Sequence, residues 1–588
     1  MASSSDTEPM GAISRLCHHL LHPLTSMVAL ASALAIIGWY GQITDPLHYF
    51  TVANGLLFGL QRFWVYWKDK MGRKEKRRLG LQTIVSGIIF ASALWVLFER
   101  AGEDGDWSIA SHLTVLLLIV VLGFLSMIHH QGRMTAKAFH PGLVLISSFI
   151  ALVVVGGLLL KMPLCTVPGT TISWLHAFFT STSAVCVTGL AVENTATYFS
   201  LTGQWIILIL IQIGGLGIMT LTFFAAVVLF EGLSLHDRLL LGRMISENRL
   251  ARIGKTLSFI VIFTFTLEAL GAVILYFSFS SIEVTSERLF HAVFHAISAF
   301  CNAGFSTLPD GLASKALSAN YVWQMTIMFL IVAGGLGALV CEDLVEWLVA
   351  KVKRMRHPEM LRPRLRIHTR LVLMMTSGLI VFGAATIYLT EFIFWDGPSN
   401  GGTWMTALFH SVTARTAGFN TVPMSEIGIL TSQVLILLMM IGGSPGGTAG
   451  GIRTTVFGVG FARIWSLLKN SQRAMIVGNR KIPEKTGDLA LGVLVLSFTW
   501  LAINFVVLQV FERNSGFTET ALLFELVSAF GTVGLSLDAT PHLTDQGKML
   551  LIVNMFVGRI GLLTVITALI SRDTCPPSGK PEEEIILT

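Results

Sequence analysis

The sequence predicts an all-α polytopic membrane protein. Four tandem repeats, each of two long helices and an intervening short helix, surround one axis and follow extra N-terminal transmembrane helices. Three observations lead to this fold class. The chain of 588 residues is 53% hydrophobic and 13% charged, whereas soluble domains carry about 25% charged residues. Many continuous apolar runs reach the roughly 20 residues that cross a bilayer. A glycine also recurs at Gly189, Gly304, Gly418 and Gly534, at intervals of 115, 114 and 116 residues.

Candidate spans follow one another along the whole chain. Four weaker ones come first, at Leu24–Tyr40, Leu47–Trp67, Leu79–Leu97 and His112–Met127. The first has no clear small-residue cleavage site, so we expect it to be retained rather than removed as a signal peptide. The stronger runs are Leu143–Leu160, Trp205–Phe230, Phe259–Phe277, Trp323–Val340, Leu371–Leu389, Ile429–Ile441, Leu489–Phe511 and Leu550–Ile570. They are continuous rather than alternating, which indicates helices and not barrel strands.

Basic residues are concentrated in alternating loops. These are Lys68–Arg78, His236–Lys255, Lys351–Arg370 and Lys469–Lys485, while the loop Glu99–Asp106 is acidic. The net charge of +6 is therefore typical of positive-inside topology and not of nucleic-acid binding. The rule places both termini in the cytoplasm and the four recurring glycines near the outer face of the cell (inner or plasma) membrane.

A short amphipathic segment precedes each recurring glycine. The four segments are Trp174–Val185, Leu289–Phe300, Trp404–Ala414 and Ala521–Phe530. About 10 to 12 residues are too few to cross a bilayer, so we expect re-entrant pore helices. Irregular backbone at membrane depth is tolerated where it is buried in protein or lines a cavity. Four such turns therefore predict a pore, and the repeats are of the helix–pore helix–helix type.

The four turns, here called the glycine turns, are Cys186–Leu190, Cys301–Phe305, Arg415–Phe419 and Gly531–Leu535. Glycine tolerates positive φ, and rings of carbonyl oxygens can replace the water shell of a cation. Helix C-termini add partial negative charge, and the absence of carboxylates in the turns disfavours a calcium-type site. One such glycine could be a packing residue, but four in register favour an ion site. The predicted ion-binding residues are Val187, Thr188, Gly189, Asn302, Ala303, Gly304, Thr416, Ala417, Gly418, Thr532, Val533 and Gly534.

A second glycine motif follows each turn. It reads GGLG at Gly214–Gly217 and Gly334–Gly337, GRIG at Gly558–Gly561, and GGSPGGTAGG at Gly442–Gly451. Small residues let membrane helices approach closely, but no continuous helix should survive a proline and six glycines. We therefore predict a broken helix that gates the pore. The predicted gate is Gly442, Gly443, Ser444, Pro445, Gly446, Gly447, Thr448, Ala449, Gly450 and Gly451, together with Arg559.

Three arginines fall near these motifs. Arg559 replaces a glycine of the fourth motif, and an arginine within a span usually faces a pore or a partner. It is either a positive barrier below the ion site or a strut paired to carbonyls of the broken helix. Arg453 belongs either to the gate or, as we favour, snorkels to the inner surface. Arg415 is expected to brace the third turn from behind.

Other polar residues receive mainly structural interpretations. We expect Glu525 to form hydrogen bonds behind the turn rather than bind an ion, and Glu268 is the other intramembrane carboxylate. Asn302 acts through its own carbonyl or by packing. Three histidines (His291, His295 and His410) match no metal-ligand pattern. Six dispersed cysteines show no metal spacing, and Cys186 and Cys301 are expected to be small packing residues.

These motifs together resemble the Trk/Ktr/HKT superfamily of potassium transporters. The resemblance rests on TSAVCVTGL, FHAISAFCNAGFST, FHSVTARTAGFNT, IGGSPGGTAGGI and GRIGLLT, in the order and spacing of that family, over roughly Pro141 to Arg572. Bacterial members are the most similar. Compact members lack a counterpart of the long N-terminal region, whose role stays unassigned.

The resemblance implies a cation-translocating membrane subunit that forms a homodimer with one pore in each subunit. Potassium would bind at the four glycine turns, which would form the filter, and the loop with Arg559 would gate the pore. The presence of glycine in all four turns resembles the pattern of the potassium-selective members of this superfamily. Plant relatives with serine in the first repeat favour sodium. A regulatory ring of the RCK type, which binds nucleotides in the cytosol, would be a separate chain. No cofactor is implied, since potassium is the substrate.

The repeats also set the predicted domain boundaries. Residues 1–140 form an N-terminal extension with about four transmembrane helices, and 141–235 and 236–350 form repeats one and two. Residues 351–470 form repeat three with the gating loop, and 471–588 form repeat four with a short cytoplasmic tail.

Three functions compete at this point. The first is potassium uptake, either channel-like or coupled to sodium or protons. The second is sodium or poorly selective monovalent cation transport, because each turn keeps only one glycine. The third is a polytopic membrane enzyme, which would require clustered carboxylates, histidines or a metal set at the interface. The membrane loops offer no such cluster in the sequence, so no enzymatic activity is expected.

Overall fold

The computed structural model describes residues 141–217, 253–278, 287–309, 311–314, 317, 320–357, 364–392, 404–469, 476–477 and 480–569. The four N-terminal candidate spans and the C-terminal tail lie outside the described residues. So do most of the basic loop after the first repeat and the second half of the predicted span Trp205–Phe230.

The regular secondary structure of the described residues is almost entirely helical. The first two repeats contain α1 (Pro141–Leu160), α2 (Trp174–Val185), α3 (Thr195–Tyr198), α4 (Leu201–Leu216), α5 (Ile253–Ser278), α6 (Arg288–Phe300), α7 (Tyr321–Leu336) and α8 (Ala338–Arg356). The last two contain α9 (Ile367–Phe392), α10 (Trp404–Thr413), α11 (Ile429–Met440), α12 (Thr454–Leu468), α13 (Glu484–Phe511), α14 (Glu519–Gly531), α15 (Asp545–Ile560) and α16 (Leu562–Leu569). Two short antiparallel strands, β1 (Ile476–Val477) and β2 (Arg480–Lys481), link the third repeat to the fourth.

Long apolar helices alternate with short ones, as the sequence predicts. Among the described residues, three helices are long and apolar enough to cross a membrane, at Thr256–Ser278, Ile367–Glu391 and Glu484–Phe511. A fourth span is possible if α7 and α8 are counted together, although they meet at an angle of 99°. The pore helices α2, α6, α10 and α14 lie between such elements, within two residues of their predicted bounds.

The four repeats close into a ring. In the first, second and fourth repeats the pore helix packs against the helix before it and the helix after it, and in the third repeat α9 packs against both α10 and α11. The helix after the pore helix also packs against the pore helix of the next repeat: α4 on α6, α7 on α10 and α11 on α14. The ring is closed by α15 of the fourth repeat, which packs against α2 of the first.

A phenylalanine anchors each pore helix at the same position. Phe179, Phe294, Phe409 and Phe524 are all completely buried, and each lies nine or ten residues before its recurring glycine. Burying a phenylalanine contributes about 1.5–3 kcal/mol. The shared register of the four anchors therefore holds the four glycine turns at one depth.

Three spans predicted as continuous are broken, which corrects the sequence interpretation. The helices α4, α7 and α15 end one residue before Gly217, Gly337 and Gly561, which have φ of 78°, 79° and 91°. Positive φ takes the backbone out of the right-handed helical region, so the runs Trp205–Phe230, Trp323–Val340 and Leu550–Ile570 do not form single straight helices. All four repeats therefore break at the second glycine motif, and the third repeat has the longest break.

Candidate ion site and intramembrane loop

The glycine turns share one backbone conformation. The recurring glycines Gly189, Gly304, Gly418 and Gly534 have φ of 93°, 70°, 80° and 89°. Two residues earlier, Val187, Asn302, Thr416 and Thr532 also have positive φ, between 50° and 73°. Left-handed φ is uncommon for residues other than glycine. Its occurrence at the same place in all four repeats shows that the turns are copies of one structure.

Hydrogen bonds turn the N–H groups of the turns back towards their own pore helices. The residue before each glycine donates its N–H to a carbonyl of the pore helix: Thr188 to Ser183 at 2.7 Å, Ala303 to Ser298 at 2.7 Å, Ala417 to Thr413 at 2.9 Å and Val533 to Ser528 at 2.8 Å. In the first and fourth turns the serine hydroxyl also accepts the glycine N–H, at 3.0 and 3.1 Å. The donors of each turn are thereby fixed behind it.

The four turns contact one another around a closed ring. A methyl group built on each glycine would collide with the carbonyl oxygen of a neighbouring turn: Ala303 for Gly189, Ala417 for Gly304, Val533 for Gly418 and Thr188 for Gly534. The methyl carbon would lie 2.7 Å from the carbonyl oxygen at Gly304 and 2.5 Å from it at Gly418, and closer still at Gly189 and Gly534. Glycine is therefore required by space as well as by φ, and four carbonyl oxygens surround one axis.

The glycines line an accessible space within an otherwise buried site. In each turn the recurring glycine is half-buried, whereas the residues on both sides of it are buried. Carbonyl oxygens in such a place can replace the hydration shell of a monovalent cation, and the C-terminal ends of the pore helices add negative potential. The geometry brings together all twelve residues that the sequence singles out as ion-binding.

The third turn differs from the other three. Its phenylalanine anchor lies nine residues before the glycine instead of ten. Arg415 is buried behind the turn, and its Nη2 donates to the carbonyl of Gly442 at 2.8 Å. The predicted bracing by Arg415 is confirmed, and its partner is the first residue of the Gly442–Gly451 loop. Asn302 and Thr416 also share a side-chain hydrogen bond of 3.2 Å that joins the second turn to the third.

The loop Gly442–Gly451, here called the glycine-rich loop, is fixed against the second repeat. Ser444 donates its N–H to the Gly335 carbonyl at 3.0 Å, and Thr448 donates its own to Gly334 at 3.3 Å. The Ser444 hydroxyl donates to the carbonyl of Leu336. The carbonyls of Gly335 and Leu336 are freed because α7 breaks at Gly337, and that of Gly334 also accepts the Gly337 N–H at 3.2 Å. The break in one repeat therefore supplies acceptors for the loop of another.

Arg559 connects opposite sides of the ring. Its guanidinium donates to the carbonyl of Thr448 in the loop and, at 2.6 Å, to the carbonyl of Gly214 in the first repeat. The side chain is buried. Arg559 was expected to be either a positive barrier below the ion site or a strut paired to carbonyls of the broken helix. The pairing to a loop carbonyl is present, and it joins the loop of the third repeat to the first repeat.

Arg453 does not snorkel, which corrects the favoured interpretation. Its Nη1 donates to the carbonyl of Ala449 and lies 3.5 Å from the carbonyl of Ser444. Both acceptors belong to the glycine-rich loop. The folded loop turns these carbonyls towards the arginine and satisfies it locally, so the guanidinium has no need to reach the membrane surface.

Two polar residues behind the turns hold the chain that leaves them. Glu525 accepts hydrogen bonds from the Ser536 hydroxyl at 2.7 Å, from the Leu537 N–H at 2.9 Å and from the Thr540 hydroxyl. At the equivalent position of the second repeat, His295 lies 2.9 Å from the Ser306 hydroxyl. The structural role expected for Glu525 is confirmed.

Two substitutions of Glu525 distinguish the contribution of its hydrogen bonds from that of its charge. We expect Glu525→Ala to destabilise the protein by at least about 2 kcal/mol, because several buried donors lose their acceptor. Glu525→Gln keeps one carbonyl oxygen and should cost less than half as much. Thermal unfolding in detergent measures both, with the exposed Glu519→Ala on the same helix as control. Equal losses for the Gln and Ala variants would contradict a hydrogen-bonding role.

The remaining predicted residues are buried in structural contacts. His291 lies 2.6 Å from the Thr307 hydroxyl, His410 is buried on its pore helix, and Glu268 accepts from Gln212 at 3.1 Å. Cys301 packs closely against Gly215, in agreement with the packing role expected for it. Sequence reasoning missed the serines Ser183, Ser298 and Ser528, although each lies six residues before a recurring glycine, a signal visible in the sequence.

The fold and the site define a polytopic helical membrane protein of four re-entrant repeats. The family model described as "TrkH: Cation transport protein" matches residues 111–578. The potassium/sodium uptake protein NtpJ of Enterococcus hirae is 33% identical over 468 residues, which cover 77% of this chain and 98% of that protein. The Ktr system potassium uptake protein B of Bacillus subtilis is 34% identical over 438 residues, 73% of this chain and 92% of that protein.

A solved structure has the same fold. The crystal structure of the potassium transporter TrkH from Vibrio parahaemolyticus matches with a TM-score of 0.59 at 17% identity, over 92% of this chain and 98% of that chain. The chain therefore belongs to the TrkH family of cation transport proteins, in agreement with the resemblance seen in its motifs.

Proposed function

We propose that this protein takes up potassium across the cell membrane through one pore that its four repeats surround. The observation that carries the proposal is the ring of carbonyl oxygens of Thr188, Ala303, Ala417 and Val533 against the four half-buried glycines. Such a ring replaces water around a cation without placing a fixed negative charge in the turn. A bare cation in an apolar medium would otherwise cost tens of kcal/mol.

The names of the relatives support the choice of ion. The relative from Bacillus subtilis is named a potassium uptake protein, and the one from Enterococcus hirae a potassium/sodium uptake protein. The second name supports sodium as an alternative or additional substrate. Because each turn contributes one glycine and no longer motif, discrimination between the two ions is expected to be modest.

The glycine-rich loop serves as the gate in this proposal. It is held by carbonyls of the second repeat and, through Arg559, is tied to Gly214 of the first repeat. These contacts support a position of the loop across the path that leads away from the ion site. Release of the loop from Arg559 and from Gly334–Leu336 would open the path.

The proposal includes an assembly and an orientation. The chain works as a homodimer in the inner or plasma membrane with both termini in the cytoplasm, together with a separate RCK-type nucleotide-binding subunit. It catalyses no covalent chemistry and needs no cofactor, since the cation is itself the substrate. The basic C-terminal turn of α8, with Lys353, Arg354 and Arg356, supports a cytoplasmic position for that end of the helix.

Ion flux into liposomes tests the proposal. Purified protein is reconstituted, and potassium and sodium uptake are measured separately and then in competition. We expect potassium flux to exceed sodium flux and added potassium to suppress sodium entry. Equal fluxes without mutual competition would favour the sodium alternative. If neither the wild-type protein nor a variant with a shortened glycine-rich loop gave any ion flux, the proposal of a pore would be refuted.

A further inference from the structure

The helix α8 runs nearly at right angles to the helix before it. The angle between α7 and α8 is 99°, and the bend lies at Gly337. The apolar α7 packs against the spanning helix α5. We take α7 as the membrane-crossing part of the pair, so a helix at this angle to it extends along the membrane surface. Its last turn carries Lys353, Arg354 and Arg356, so this surface is the side on which the basic loops lie.

One side of α8 is apolar and uncovered. Val345, Leu348, Val349, Val352 and Met355 are 44%, 55%, 47%, 41% and 71% exposed. At 3.6 residues per turn they occupy an arc of about 120°. An apolar stripe of this width on a surface helix normally packs against something.

The polar side of α8 faces the rest of the protein. Asp343 accepts the N–H of Arg366 at 3.0 Å and lies 3.4 Å from its guanidinium. Glu342 accepts from the Thr256 hydroxyl at 3.3 Å. The helix is therefore held by its acidic side against α5 and α9, which leaves the apolar stripe directed away from the protein.

Basic residues flank the apolar stripe on both edges. Helical geometry places Lys351 beside one edge and Lys353 beside the other. Lys351 lies 4.9 Å from the centre of the Trp347 ring. Neither lysine, nor Arg354, forms an ion pair with a carboxylate in the described part of the chain. Lysines that flank an apolar stripe extend their charged ends to headgroups while their stems lie on hydrocarbon.

We propose that α8 is an interfacial helix that binds anionic phospholipid headgroups of the inner leaflet. The apolar stripe enters the boundary of the acyl chains, and Lys351 and Lys353 contact lipid phosphates. Charge complementarity selects the lipid surface over a second copy of this chain, because a copy would bring the same unpaired positive charges together. The cytoplasmic leaflet carries the anionic lipid that these charges attract.

The start of α8 touches the glycine-rich loop. A methyl group on Gly337 would lie 2.7 Å from the Gly447 nitrogen, and the Leu339 side chain would lie 3.4 Å from a methyl on Gly446. Helix α8, bound to lipid, therefore contacts the glycine-rich loop directly at the bend formed by Gly337. If the loop gates the pore, which rests on the proposed function, anionic lipid adjusts the opening of the pore.

Spin labels determine where the stripe lies, independently of transport. Cys17 and Cys575 are replaced by serine, and the four described cysteines are buried. Labels are placed by Leu348→Cys on the stripe and by Arg354→Cys on the opposite side. The liposomes contain equal amounts of phosphatidylcholine and phosphatidylglycerol. In them the label at 348 should collide with oxygen and be shielded from an aqueous nickel chelate. The label at 354 should be accessible to the nickel chelate and collide less with oxygen. A label at 348 that the nickel chelate reaches, or that neither reagent reaches because protein covers it, would overturn the proposal.

Lipid retention tests the basic residues. The variant Lys351→Gln/Lys353→Gln should lose affinity for phosphatidylglycerol by about fivefold for each charge, on the order of 25-fold in total. The control Arg370→Gln/Lys469→Gln removes exposed positive charge from other helices and should retain wild-type affinity. Equal retention by both variants would refute the headgroup site. Where flux is measurable, only the Lys351→Gln/Lys353→Gln variant should lose its dependence on phosphatidylglycerol. The label and retention experiments can be done even on a protein without flux.

Discussion

Replacement of Gly534 by alanine should reduce rubidium uptake by about tenfold or more in cells that lack their own potassium importers. The glycine has φ of 89°, and a left-handed conformation costs an alanine about 1–2 kcal/mol. Its methyl group would also collide with the carbonyl oxygen of Thr188 and lie 3.0 Å from the Cα of Gly189. The change displaces an oxygen of the ring at the contact between the last turn and the first. In Gly418→Asp the side chain would collide with the Val533 carbonyl oxygen and would also introduce a negative charge, so this variant should abolish uptake.

The matched control is Gly492→Ala. This glycine lies within α13, a methyl group built on it would have no atom within 4 Å, and its φ is not in the left-handed region. Alanine there should leave uptake unchanged and stabilise the helix by about 0.5–1 kcal/mol. If Gly534→Ala transported as well as Gly492→Ala at the same protein level, the ring of turns would not be the ion site.

Deletion of Gly443–Gly450 should raise ion flux by about tenfold. The deletion removes Ser444 and Thr448, and with them the bonds to Gly334, Gly335 and Arg559. Each hydrogen bond contributes a net of about 0.5–1.5 kcal/mol, so loss of several shifts the loop strongly away from the closed arrangement. Flux into liposomes and thermal unfolding are measured on the same preparation.

A graded variant separates opening from damage. Arg559→Gln shortens the side chain that joins Thr448 to Gly214 but leaves the loop in place, so its flux should lie between the wild type and the deletion. Lower flux in a deletion variant that unfolds at the wild-type temperature would show that the loop supports conduction and does not obstruct it.

The pore helices could be predicted because their signals are local. A short run such as Trp174–Val185 ends directly before a glycine turn. It begins after a capping serine, Ser173, whose side chain accepts the His176 N–H. The run is too short to cross the bilayer, so no distant contact is needed to identify it. The structure places this helix at the predicted bounds.

The breaks after α4, α7 and α15 were not predicted, because distant residues decide them. A glycine within an apolar run costs a helix only about 1 kcal/mol, so Gly337 alone does not indicate a break. The break is stabilised when Ser444 and Thr448, more than 100 residues later, take up carbonyls of Gly335 and Gly334. Arg453 was misassigned for the same reason, since its acceptors exist only once the loop has folded.

The contact between Gly534 and Thr188 has a consequence for biosynthesis. The ring of turns is complete only when the last turn meets the first, across 345 intervening residues in chain order. During synthesis the first three turns therefore wait in the membrane without their final neighbour, and a chain that stops before the fourth repeat has no enclosed path.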